Sequence, residues 1–287
     1  MTFAKTVLVP LDGSIQATAA IPVARGFGEL LHAAVALLHV SDELLTPAGL
    51  VGRMKLAADE VPGLIIEHRQ GEAATAIVET ARERHAAMIV MCPQIRTDLP
   101  WRALGSVAAA VLSTAPCPVV LVPPARGAKR WALRRMLVPH DGTPTSAATI
   151  GPATELALKA AAELVVLHVA TPGADTPPEP GTLVSPHYVD QPQHEWPAWA
   201  QEFLARLCAV GGARNGTEMR LAVARGEASA AIIDFARQSD LIVLGWRGAL
   251  KPGRARTMQR VICDTACPMI VLRVDRDSDQ RYWPWSS

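Results

Sequence analysis

Residues 7–14 read VLVPLDGS and residues 136–143 read MLVPHDGT. Each is an apolar run of strand length that stops at an aspartate, a glycine and a hydroxyl. That composition suits a strand entering a tight turn with a capping residue for the helix that follows. Laying the second stretch under the first extends the match. Asp12 pairs with Asp141, and His39 in VALLHVSD pairs with His168 in LVVLHVAT, both at an offset of 129. Further on, RQGEAATAIVETA (69–81) matches ARGEASAAIIDFA (224–236) at an offset of 155, so the second copy carries 26 extra residues between its second and third strands.

The insertion, TPGADTPPEPGTLVSPHYVDQPQHEW, is rich in proline and polar residues and reads as a surface loop. The copies meet again at AAMIVMC (86–92) against SDLIVLG (239–245), and at TAPCPVVLV (114–122) against TACPMIVLR (265–273). Self-similarity over this much of the chain implies two copies of one domain. The expected boundaries are 1–124 for the first, 125–133 for a basic, proline-bearing linker, and 134–274 for the second, with its insertion at about 171–196. The tail 275–287, DRDSDQRYWPWSS, is expected at the periphery.

Within each copy short apolar runs alternate with longer stretches of helical spacing, giving βαβαβαβαβ. The runs are rich in Val, Ile and Leu without polar alternation, as in parallel strands covered by helices on both faces. The expected fold class is therefore α/β, with two tandem doubly wound open parallel five-stranded sheets. Ligands of such sheets bind beyond the carboxyl ends of the strands, where the opening motif stops.

Composition narrows the function. The chain has 49% hydrophobic residues, 19% charged residues and a net charge of +1, which gives no reason to expect nucleic acid as a partner. Its opening lacks the pattern of an export signal and its apolar runs are too short to span a bilayer, so a cytoplasmic protein without membrane contact is expected. The five cysteines are read as reduced thiols. Cys263 and Cys267 lie four apart but no histidine or second pair completes a metal site. His39, His168 and His140 are read as structural residues, and Trp196, Trp199, Tyr188 and Phe203 as packing for the inserted loop. Neither G-x-S-x-G nor a Walker A stretch is present.

From VLVPLDGS through LGSV to PCPVVLV, in this order and in two copies, the chain resembles the universal stress protein (UspA) family in its tandem form. The resemblance covers nearly everything outside the insertion, linker and tail. It implies a Rossmann-like sheet of the adenine nucleotide alpha hydrolase type, pairing of domains through the last strand as a pseudo-dimer or in a homodimer, and, in one branch, binding of ATP with magnesium. Carried residue by residue onto this chain, the nucleotide-binding positions of the first half are Asp12, Gly13, Ser14, Val40, Gly105 and Ser106. Those of the second are Asp141, Gly142, Thr143, Val169, Gly245 and Gly248, with Arg254 or Arg256 in place of a lost hydroxyl.

Both halves depart from the branch's pattern G-x2-G-x9-G-[ST]. The first has Cys92 and Ile95 where glycines belong, and the second has Ala255 and Arg256 where the first has Gly105 and Ser106. The expected function is a stress-response binding or regulatory module with a degenerate adenine nucleotide site and at most a weak ATPase activity. The alternative is a scaffold without nucleotide that engages a protein or a small apolar ligand.

Overall fold

The computed structural model describes residues 5–43, 45–96, 103–124, 130–170, 196–246, 256–274 and 285. In chain order its elements are β1 (Thr6–Pro10), a 3-10 turn (Ala17–Ala19), α1 (Ala20–Leu31), β2 (Ala34–Val40), α2 (Pro47–Arg53), a second 3-10 turn (Ala58–Glu60), β3 (Leu64–Arg69), α3 (Ala73–Glu83) and β4 (Ala86–Met91). A two-stranded ribbon, β5 (Ile95–Arg96) and β6 (Ala103–Leu104), precedes α4 (Ser106–Thr114) and β7 (Val119–Leu121). The second copy runs β8 (Arg135–His140), α5 (Pro144–Ala147), α6 (Ile150–Ala160), β9 (Glu163–Ala170), α7 (Trp196–Gly211), β10 (Met219–Arg225), α8 (Ala228–Ala236), β11 (Leu241–Trp246), α9 (Arg256–Asp264) and β12 (Met269–Arg273).

Two compact units result, one formed by Met1–Ala132 with Gly248–Val271, the other by Leu133–Arg247 with Leu272–Ser287. In the first, the strand order is β3-β2-β1-β4-β7, all parallel. Met269–Val271 of β12 add antiparallel to β7 at its edge, so the last strands of the two copies pair. In the second unit the order is β10-β9-β8-β11, again parallel.

The α/β reading is met, for the reason the sequence offers. Val7, Leu8 and Val9 of β1 and Met88, Ile89 and Val90 of β4 are all buried, so the central strands are covered on both faces. The shared motif GEA also has a physical use: Glu72 accepts from the N–H groups of Ala74 (3.0 Å) and Thr75 (2.7 Å) at the start of α3. Glu227 does the same for Ser229 (3.0 Å) and Ala230 (3.1 Å) in α8.

Two features differ from the expectation. The hydroxyl expected to cap the following helix, Ser14 Oγ, accepts from Ala17 N–H at 3.2 Å at the start of a 3-10 turn, and α1 opens only at Ala20. In the tail, Trp285 is 1% exposed and its indole N–H donates to the Pro152 carbonyl at 3.0 Å. Among the described residues no helix is long and apolar enough to cross a membrane.

Candidate functional site

In the first unit the chain leaves β1 for α1 on one side of the sheet, while β4 lies on the other side of β1, which makes the carboxyl ends of β1 and β4 the topological switch point. Asp12 follows β1 there, and Cys92 to Gln94 follow β4. Asp12 closes its own turn, its Oδ1 accepting from Ser14 N–H at 2.8 Å. Gly13 between them has φ +83°, and a Cβ there would sit 2.9 Å from the Arg53 carbonyl oxygen, so glycine serves both the turn and the close passage of α2's last residue.

The other Asp12 oxygen, Oδ2, accepts from the Gln94 side-chain amide at 2.8 Å. Both oxygens of the Asp12 carboxylate are therefore engaged. Partial burial pushes its pKa up, but hydrogen bonds from Ser14 and Gln94 outweigh this and hold it below the usual range. Gln94 reaches further: its backbone carbonyl accepts from Gly105 N–H at 2.8 Å, and a Cβ on Gly105 would lie 3.1 Å from that oxygen. One residue thus ties the end of β1 to the entry of α4.

Asp12, Val40, Gly105 and Ser106 line one cavity of about 170 Å³. Its walls are apolar, with Leu38, Ile77 and Met91 among them. Val107 and Ala108, in the first turn of α4, complete it. That helix starts at Gly105 with no side-chain cap, which leaves its leading N–H groups and the positive end of its dipole to a ligand. Gly13 and Ser14 line a separate cavity with Asp12.

In the second unit Asp141 is engaged differently. Its Oδ1 accepts from Thr143 N–H (3.0 Å), Thr143 Oγ1–H (2.6 Å) and Ser146 Oγ–H (2.6 Å), and the pKa is lowered by these bonds against the opposing effect of burial. Thr143 caps α5, and Gly142 N–H donates to His140 Nδ1 at 2.8 Å. The ring of Phe203, from α7, lies 5.7 Å from that of His140 and 5.3 Å from that of His168. Val169 and Gly245 are the penultimate residues of β9 and β11, Arg256 opens α9 in the first unit, and Gly248 and Arg254 lie outside the described residues. Tyr188 and the side chains of Trp196 and Trp199 lie outside them too.

The Cys92 and Cys117 thiols have raised pKa values. Burial, with some help from the charge of Asp12, pushes Cys92 up to about 11, and burial pushes Cys117 up to about 12. Nδ1 of His39 and Nδ1 of His168 face backbone carbonyls, of Leu11 at 2.8 Å and His140 at 3.1 Å. Among the described residues no group of three potential ligands gathers to hold a metal ion. Gln94, Arg53 and Lys55 escape sequence reading, since none belongs to a repeated motif.

A doubly wound sheet thus carries an apolar pocket at its switch point, where an uncapped helix N-terminus faces it. The model of the universal stress protein family matches residues 48–123 and 132–273, and the chain belongs to that family. A universal stress protein from Archaeoglobus fulgidus DSM 4304 has a similar structure, with a TM-score of 0.61 and 18% identity over 93% of this chain and 98% of that one. A putative universal stress protein from Pseudomonas aeruginosa UCBPP-PA14 gives a TM-score of 0.61 and 18% identity over 94% of this chain and 93% of the other. No curated protein matches.

Proposed function

We propose that the first unit binds one adenine nucleotide, as a stress-response binding module rather than an enzyme. The observation that carries this reading is the convergence of Asp12, Val40, Gly105 and Ser106, from distant parts of the chain, on a single cavity. An engineered cavity of roughly 150 Å³ takes up benzene, so about 170 Å³ suits a flat aromatic base and leaves ribose and phosphate at the mouth. The base lies among Leu38, Val40, Ile77 and Met91; the ribose hydroxyls replace the Gln94 amide on Asp12; the 5′ phosphate meets the N–H groups that open α4.

In the second unit Asp141 holds three donors on Oδ1, so the two aspartates are engaged differently. The domain pairing expected of the family draws support from the β7 to β12 ladder, and domain limits at 1–124 and 134–274 remain our proposal, as does a cytoplasmic setting.

Full-chain protein titrated with AMP, or with ATP and magnesium, is expected to bind one equivalent and to gain about 2.7 kcal/mol of stability at a hundredfold excess over Kd. Asp12→Ala is expected to weaken binding by about tenfold or more, the loss of a hydrogen bond to a charged group. No heat and no shift in melting temperature with either nucleotide would leave the apolar-ligand scaffold as the better account, since the lining is largely apolar.

A further inference from the structure

Asp12 borders two other cavities, and their charges differ. One, of about 690 Å³, is lined by Asp12 and Asp264 with no basic side chain among the described residues. The other, of about 390 Å³, is lined by Asp12, Ser14, Ser41, His39, Arg53 and Lys55. Arg53 meets Glu43 at 3.5 Å, but both side chains are exposed and such a pair is weak. Lys55 has no carboxylate within ion-pair distance among the described residues. Close passage of the Arg53 backbone over Gly13 fixes the end of α2 against the Asp12 turn.

His39 adds a second requirement. It is 3% exposed, and its Nδ1 faces the Leu11 carbonyl, which can only accept, so that nitrogen carries the proton. Nε2 is then a buried acceptor with no donor among the described residues. A ribose hydroxyl, or a phosphate monoester that retains a proton, offers the missing donor.

We infer that the crevice is built for an adenine nucleotide phosphorylated on both sides of its ribose, a phosphate on the 2′ or 3′ oxygen facing Arg53 and Lys55 and the 5′ phosphate facing α4. This rests on the reading of the base pocket above. Two anion-receptive features, a cation pair and a helix N-terminus, line two different cavities that share the Asp12 carboxylate. The alternative exit past Asp264 would place phosphate between carboxylates.

Isothermal titration of the full chain with AMP, adenosine 3′,5′-bisphosphate and adenosine 2′,5′-bisphosphate tests it. One bisphosphate is expected to bind at least about tenfold tighter than AMP, as one more charge-assisted contact provides. The double variant Arg53→Ala, Lys55→Ala is expected to bring that ratio to about one, and Arg53→Lys, Lys55→Arg to keep most of it. Bisphosphates no tighter than AMP, or a ratio that survives in the alanine variant, would overturn the inference and leave the base pocket standing. Absence of AMP and bisphosphate binding alike would remove both.

Discussion

Trp285→Ala is expected to lower the unfolding free energy of the second unit by about 3–5 kcal/mol, the usual cost of replacing a buried aromatic by alanine. The ring is 1% exposed and is one of the largest fully buried side chains in the protein. Its N–H donates to the Pro152 carbonyl at 3.0 Å, so the indole is held at both its apolar face and its polar edge. Against a total of about 5–15 kcal/mol for a domain, this loss is a large fraction. Urea unfolding followed by circular dichroism measures it. Trp285→Phe should recover most of the burial and lose about 1 kcal/mol for the hydrogen bond. An alanine variant with an unchanged midpoint would mean that the tail is an ornament of the fold, not a part of it.

Such a residue was out of reach for sequence reading. The stretch around Trp285 is charged and flanks the last strand, which reads as solvated, and its partner Pro152 is 133 positions away. Periodicity reports which face of an element is buried, not which distant segment covers it. By contrast, the α/β class and the strand-turn-helix motif were legible because they are local and written twice. β1 and β8, with their Asp-Gly-hydroxyl turns, can be laid one over the other without any long-range information.

The site divides along the same line. Asp12, Val40, Gly105 and Ser106 each sit next to a recognisable strand or helix end, so their family positions could be carried over, and they do line one cavity. Gln94 lies in a loop with no periodicity, and its role depends on a side chain bonding to a residue 82 positions back. Arg53 and Lys55 fall between the second and third strands, where the second copy has its insertion, so comparison of the halves gives them no counterpart. The difference between the two aspartates was equally hidden. Asp141 gathers donors from Thr143 and Ser146 on Oδ1 alone, whereas Asp12 Oδ2 takes the side-chain amide of Gln94, which a ligand hydroxyl can displace.

A second large effect is expected on acidification. Stability should be full above about pH 6.5, the ordinary value for histidine, and fall by about 3 kcal/mol as the pH approaches 4, because burial pushes His140 down to about 4. Between these limits the unfolded chain binds a proton that the folded one refuses, so stability must rise with pH across the window. The nearby Asp141 opposes the shift and His168 reinforces it, yet burial of a 4% exposed ring dominates.

Geometry gives the same sign. Nδ1 accepts from Gly142 N–H at 2.8 Å, so a second proton there would meet another donor and open the turn that carries Asp141. His168, itself lowered chiefly by burial, adds to the loss, while the contribution of Asp12 and Asp141 is lost from about their ordinary value of 3.8 downward to their depressed ones. The first copy supplies the control, since it has Leu11 at the position of His140, buried in the same way. His140→Leu is therefore expected to flatten the dependence of the urea midpoint on pH between 6.5 and 4, whatever it does to the plateau by leaving Gly142 N–H without its acceptor. An equal slope in the variant would assign the acid sensitivity elsewhere, and a steeper one would mean that His140 shields His168 rather than leading the titration.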